Sequence, residues 1–236
     1  MEKFMAKTLI FDTWGTLVDN YSISDVLEPY VNEANTAHIV AHDWRFHQKW
    51  AMFYTTLAES FVPHPDLTEA CLRWALEKNH IALSESAIKE IVSQYHKLRA
   101  YPDVINALKD LKKQGHKLMI VANPTKKMIE DHSKYAGTYP YLDEIISNGE
   151  EVNAFKPSPK VFNLGIERAG CEKSDILWVT GHFWEIVGAT KQGLKTAWTN
   201  RARQPMLKIG VTPTYTTNNL QELANILSTE RERAEA

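Results

Sequence analysis

The sequence predicts an α/β fold: a doubly wound parallel sheet with helices on both faces and an inserted four-helix cap. Three observations carry this. Short apolar runs recur at Thr8–Phe11, Leu118–Ala122, Glu144–Ile146 and Ile176–Thr180, as expected of parallel strands buried on both sides. Helical patterns alternate with these runs through short connections. Residues from about Asn20 to Leu98 break the alternation, with no convincing strand among them.

Each element follows from local pattern. TLIF at Thr8–Phe11 is the first strand. The next eighty or so residues suggest helices near 22–36, 40–61, 66–79 and 84–98, with Pro63, His64 and Pro65 parting the second from the third. Pro102–Gln114 is helical and ends at Gly115, where a left-handed cap is needed. LMIVA, the helix Pro124–Tyr135, EII and the helix Pro159–Ala169 follow, the last ending at Gly170. ILWVT, the helix Trp184–Gln192, weaker strands at Lys195–Trp198 and Pro213–Thr216, and a helix over Asn219–Leu227 complete the pattern. The charged tail after Leu227 is expected to fray. The expected division is an α/β core of residues 1–19 and 99–236 and a helical cap of residues 20–98.

Composition narrows the function. The chain has 236 residues, 44% of them hydrophobic, and a formal charge of -2. Such a chain is globular, and without a broad basic field nucleic acid is not the expected partner. The two cysteines, Cys71 and Cys171, supply neither a disulfide framework nor a four-thiolate metal site, and are expected to be buried helical thiols. No secretory signal and no membrane span are read, so the expected setting is cytoplasmic. The aromatic run Trp44, Phe46, Trp50, Phe53, Tyr54 and Phe61 is expected to be mostly cap core, and His38 and His42 are read as solvated.

Asp12 directly follows the first strand, in LIFDTWGTLVD. Open α/β sheets bind ligands beyond the carboxyl ends of their strands. An Asp there is placed for chemistry, though such residues also serve as turn formers or caps. Three further segments follow in order: Val121–Thr125 (VANPT), Phe155–Pro159 (FKPSP) and Thr180–Ala189 (TGHFWEIVGA). Together with Asp12–Asp19 they resemble the four motifs of the haloacid dehalogenase superfamily. Trp14, Trp44-Arg45, Trp184 and Trp198-Thr199-Asn200-Arg201 are similar to residues of its (S)-2-haloacid dehalogenase branch.

The resemblance implies a hydrolase in which Asp12 attacks C2 of a small 2-haloacid to form an ester, which water then cleaves. It implies catalytic roles for Lys156, which would hold Asp12 ionised, for Glu185 in activating water, and for Arg45, which would meet the halide or the substrate carboxylate. Trp14, Thr16, Asn123, His182 and Trp184 are the expected substrate-binding residues. Superfamily phosphatases carry an acid two residues after the nucleophile to protonate a leaving alcohol; Trp14 cannot do this, and a halide needs no proton. No metal or cofactor is expected. The magnesium motif G-D-x-x-x-D has only Glu185 here, with Gly181 at its first metal position, so Mg²⁺ belongs to a phosphatase alternative. The implied partner is a small anionic organic acid, with no membrane partner, and related dehalogenases tend to be homodimers.

Several residues depart from the branch. Ala122 stands for a serine of motif two, although Thr125 lies close by; Gly181 stands for a serine, His182 for an asparagine and Glu185 for an aspartate of motif four. His182 suits either a base or a neutral hydrogen-bonding replacement. The departures keep open a catalytically silent binding protein with this fold.

Overall fold

The computed structural model describes residues 6–20, 22–31 and 33–235. Six strands form one parallel sheet in the order β3-β2-β1-β4-β5-β6. They are β1 (Thr8–Phe11), β2 (Lys117–Ala122), β3 (Glu144–Ser147), β4 (Ile176–Thr180), β5 (Lys195–Thr199) and β6 (Tyr215–Thr217). Each strand of the expected set is present; the last starts two residues later than its apolar pattern suggested.

Alternation along β1 explains why helices cover both faces. Leu9 and Phe11 join one buried cluster with α5 (Val104–Lys113), α6 (Lys126–Tyr135) and α10 (Leu220–Glu235). Ile10 joins a second with α8 (Pro159–Ala169) and α9 (Phe183–Lys191). Each fully buried aliphatic side chain contributes about 1.5–3 kcal/mol over its exposed state. Gly115 and Gly170 take positive φ, +84° and +66°, as their helix-end positions required.

Among the described residues between β1 and α5, the regular elements are the helices α1 (Ile23–Val31), α2 (Ala34–Leu57), α3 (His64–Lys78) and α4 (Glu85–Ser93), followed by one 3₁₀ turn, Gln94–His96. The first pair breaks earlier than periodicity predicted, because Glu33 is extended and accepts from the Thr36 hydroxyl. Helix α2 packs against both α1 and α3.

Three expectations need correction. The tail does not fray at Leu227: α10 runs to Glu235, held where Tyr215 donates to Glu230 and Arg231 to the Gln114 carbonyl. The aromatic run is not mostly core. Trp44 is buried, its indole N–H donating to the Thr68 carbonyl, but Phe46, Trp50 and Tyr54 are exposed on α2. Cys171 sits in the turn after α8, half-buried, whereas Cys71 is buried as expected. A short helix, α7 (Asn148–Val152), went unpredicted: Gly149 breaks its pattern, and its start rests on a Ser147 side-chain cap. Among the described residues, no helix is long and apolar enough to cross a membrane.

The strand order reverses beside β1, whose neighbours are β2 and β4. Phe11 pairs with both Ile120 and Val179, so the three strands end side by side. The resulting crevice is where a doubly wound sheet binds ligands.

Candidate active site

Asp12 is the first residue beyond β1, and its N–H donates to the Val179 carbonyl of β4. Lys156, from the loop before α8, donates to Asp12 Oδ1 at 2.5 Å and to Glu185 Oε2 at 2.9 Å. Glu185 lies in the first turn of α9 and also accepts from the Trp178 indole at 3.2 Å. All three side chains are buried, Lys156 1% exposed, so their charges act with little solvent screening.

The three groups set one another's protonation. Burial raises the Asp12 pKa, but the Lys156 charge and the hydrogen bonds from Lys156 and Thr16 outweigh it and hold the carboxyl below its usual range. Burial depresses the Lys156 ammonium, yet Asp12 and Glu185 together keep it raised and charged. Glu185 is pushed up to about 8 by burial and then by the Asp12 charge, against Lys156. The neutral-pH array is thus one carboxylate, one ammonium and one neutral acid, with no net buried charge.

A cavity of about 40 Å³ opens onto this array. Its lining includes Asp12, Trp14, Asn123, His182, Trp184 and Glu185 from the sheet side, and Arg45 from α2. The structure therefore gathers the expected residues at one point, with Lys156 bonded behind Asp12 and Glu185. Arg45 lies over the Trp14 ring at 4.8 Å and donates through Nη1 to Gln48. Tyr95 stacks on Trp14 at 4.4 Å. Asn123 Oδ1 accepts from the Lys156 N–H and the Asn148 amide. Its Nδ2 meets the Met52 sulfur at 3.3 Å.

Thr16 is placed differently from expectation. Its hydroxyl donates to Asp12 Oδ2 at 2.8 Å and accepts from the Gly181 N–H, so it holds the carboxylate rather than a substrate. Thr125 does not replace the hydroxyl missing at Ala122, because it caps α6. His38 and His42 are exposed on α2, as expected.

Two of the motif-four departures, Gly181 and His182, share a geometric origin. A Cβ at position 181 would lie 2.4 Å from the Gly15 carbonyl oxygen, so neither serine nor aspartate fits without moving the turn after Asp12. The close approach brings His182 Nε2 to 2.8 Å from the Trp14 carbonyl. That atom must donate, so Nε2 carries the hydrogen. Burial holds the imidazole below its ordinary pKa, and Trp184 stacks on it at 5.3 Å.

Asp12, His182 and Glu185 bring potential ligand atoms within 4.8 Å of one another. They do not fit the Mg²⁺ of a phosphatase. The Lys156 ammonium already bridges the two carboxylates, and His182 occupies the carbonyl of Trp14. Hard Mg²⁺ also prefers an all-oxygen set.

Sequence reasoning missed Lys49 and His64, which line the same cavity. Lys49 is one helical turn after Arg45, a spacing that puts both on one face of α2. Burial, then the Arg45 charge, pulls its ammonium pKa down. His64 stands between two prolines and read as a break between helices; it opens α3 and is buried.

Comparison with known proteins agrees with this geometry. Residues 6–193 match the family model of haloacid dehalogenase-like hydrolases. The chain is 28% identical over 220 residues to (S)-2-haloacid dehalogenase 2 of Pseudomonas sp. (strain CBS-3), covering 93% of this chain and 95% of that protein. It is 25% identical to haloacetate dehalogenase H-2 of Moraxella sp. (strain B), covering 94% and 98%. The crystal structure of an L-2-haloacid dehalogenase superposes with a TM-score of 0.90 at 27% identity, covering 95% of this chain and 99% of that one. A buried aspartate after the first strand, the lysine bonded to it and a match over most of the length agree: the chain belongs to the haloacid dehalogenase-like hydrolase family.

Proposed function

We propose that the protein hydrolyses the carbon–halogen bond of a small 2-haloacid, without a metal, through an ester on Asp12. The observation that carries this reading is an ionised, fixed Asp12 facing a cavity walled by Arg45 and Lys49, with Trp14 where a phosphatase needs its acid. The names of the relatives support the same substrate class. A magnesium-dependent phosphatase would need the oxygens that Lys156 and His182 already engage. In this reading residues 20–98 are the cap, which brings Arg45, Lys49, Met52 and His64 to a core of residues 1–19 and 99–236.

The roles follow from the contacts. Lys156 on Oδ1 and Thr16 on Oδ2 fix the Asp12 carboxylate for displacement at C2. Asn123 Nδ2 and Lys49 take the substrate carboxylate, and Arg45 the departing halide. Trp184 walls the pocket beside a neutral His182 that fixes the Trp14 backbone. Ester formation removes the Asp12 charge that helps keep Glu185 protonated. Glu185, left facing Lys156, then releases its proton to solvent through the cavity it lines and, once ionised, accepts a proton from the water that attacks the ester. Its Oε1 is buried with no hydrogen-bond partner and is the atom available for that water.

Glu185→Gln tests this sequence of steps. The variant should still alkylate Asp12 but lower kcat by about 10²–10⁴-fold, with the Asp12 ester accumulating in mass spectra of protein mixed with bromoacetate. In the wild type, kcat/KM should fall as pH rises through about 8, because ionised Glu185 competes with Asp12 for Lys156 and repels an anionic substrate. That limb should be absent from Glu185→Gln. Rapid turnover with no ester in the variant would remove Glu185 from the second step.

We further propose that the exposed face of α2, with Phe46, Trp50, Tyr54 and Leu57 one turn apart, packs on a second copy of the chain. Sedimentation velocity over a concentration series should show a dimer that Trp50→Lys with Tyr54→Lys dissociates. An unaltered dimer would place the interface elsewhere.

A further inference from the structure

Asp12 hangs on a turn whose pivot is Thr13. The Thr13 carbonyl accepts from three backbone N–H groups, those of Thr16 at 3.2 Å, Leu17 at 2.8 Å and Val18 at 3.0 Å. The side chain of the same residue is pinned as well. Its Oγ1 lies 2.8 Å from Nε2 of His132 in α6, across 119 positions of sequence. Both side chains are buried, and neither lines the cavity at Asp12.

The direction of this bond follows from counting hydrogens. Among the described residues Thr13 Oγ1 has no other hydrogen-bond partner. Donation from Nε2 would strand both the hydroxyl hydrogen and the Nδ1 lone pair. The hydroxyl therefore donates to Nε2, and the ring hydrogen belongs to Nδ1. Nδ1 completes no hydrogen bond, although the Tyr95 backbone favours a proton on this ring. Burial, then the His96 charge, lowers the His132 pKa to about 3, against the charges of Asp12 and Asp131. The ring is thus neutral near the nucleophile. A cationic ring there would stabilise the Asp12 carboxylate further and weaken its attack.

The same joint reaches the end of the cap. Tyr95 and His96 belong to the 3₁₀ turn Gln94–His96 that follows α4. Tyr95 stacks on Trp14 at 4.4 Å, and His96 Nδ1 lies 2.7 Å from Asp131 Oδ2. Thr13 and Trp14, the two residues after Asp12, are therefore held by neighbouring elements, α6 and the 3₁₀ turn, which are themselves tied together.

We propose, resting on the haloacid reading above in which Asp12 is the nucleophile, that His132 is a positioning residue: through Thr13 it sets the angle at which the Asp12 carboxylate meets C2. Lys156 and Thr16 hold the two carboxylate oxygens. The Thr13–His132 bond acts instead on the backbone from which that side chain hangs. Displacement at carbon tolerates little error, since a misplacement near 1 Å costs about 100-fold. A buried hydroxyl and a buried imidazole that satisfy each other fix the pivot without adding charge to the site.

Thr13→Val removes the hydroxyl at nearly constant shape, and Thr13→Ser returns it. In single turnovers with bromoacetate, read by bromide release and by the mass of the Asp12 ester, Thr13→Val should form the ester about 10- to 100-fold more slowly. The half-saturating haloacid concentration should be nearly unchanged, and Thr13→Ser should recover most of the rate. His132→Leu should match Thr13→Val. His132→Gln, whose amide oxygen can accept from Thr13, should recover part of the loss. Thr13→Val with His132→Leu should be no slower than the slower single variant, because the two changes break one bond. Melting curves keep every assay below unfolding, and if His132→Leu does not fold, the two Thr13 variants decide. An unchanged rate in Thr13→Val, a raised half-saturation at constant maximal rate, no recovery in Thr13→Ser, or losses that multiply in the double variant would overturn the positioning role and leave the haloacid reading intact. If no haloacid alkylates Asp12 but an aryl phosphate is hydrolysed through it, the same losses and recoveries on that substrate would keep the positioning role while the haloacid reading fails. No chemistry at Asp12 with either substrate would end both.

Discussion

Asp12→Asn is expected to abolish halide release, lowering turnover of a 2-haloacid by about 10⁴- to 10⁶-fold, while the protein stays folded. Both halves follow from the same array. The amide is a far poorer nucleophile than the carboxylate, and no other described side chain stands as well placed to replace it: Glu185 is neutral at pH 7 and its Oε2 already accepts from Lys156 and Trp178. Stability should change little. Asp12 is one of the two causes that keep Glu185 protonated. With that charge gone, Glu185 ionises more readily and remains paired to Lys156. The buried lysine therefore keeps a counter-ion, and the asparagine still accepts from Thr16. Halide release measured beside thermal melting separates the two effects. Residual turnover within tenfold of wild type would show that Asp12 is not the nucleophile. A collapse of the melting temperature would show that Glu185 cannot take over as partner.

Much of this was legible in the chain, for identifiable reasons. The strands read clearly because β1 and β4 are apolar on both faces, leaving little ambiguity of period. Asp12 directly follows β1, Glu185 lies in the first turn of the helix after β4, and Lys156 lies in the loop before α8, so the sheet topology brings them to one end of the strands. The cap was harder. Its helices were countable, but which face of α2 looks inward was not, because Phe46, Trp50 and Tyr54 read as core and lie outside. Once the aromatics were assigned inward, Lys49 had no reason to stand out, although it shares a face with Arg45. His64 was hidden by its prolines. Gly181 read as the loss of a metal or hydroxyl ligand, whereas the structure shows a steric demand from the Gly15 carbonyl across a gap of 166 residues in sequence. Neither periodicity nor motif spacing carries that kind of information.

Lys156→Met should be the most damaging substitution for the fold of the site. Methionine matches the length of the lysine stem but leaves Asp12 and Glu185 buried together without a cation. Breaking a buried charge pair by removing one partner costs about 3–5 kcal/mol. The loss should depend on pH, and the sign is fixed by where the protons go. Without Lys156 both carboxyls rise above their unfolded values, so the folded variant binds protons that the unfolded chain releases. Stability then falls as pH increases above the unfolded range near ~4. In the wild type Asp12 behaves oppositely: its lowered pKa contributes stability that is present above the unfolded value and lost as pH falls through the folded one. Urea unfolding at pH 5 and pH 8 should therefore find the difference between variant and wild type larger at pH 8. Turnover should be lost at both, because a protonated Asp12 cannot attack C2. An equal difference at the two pH values would mean that water or Arg45 reaches the carboxylates and stands in for the ammonium. Lys156→Arg keeps the charge but adds a planar fork in a space closed on all sides, so it is expected to restore the pH dependence of the wild type without restoring its turnover.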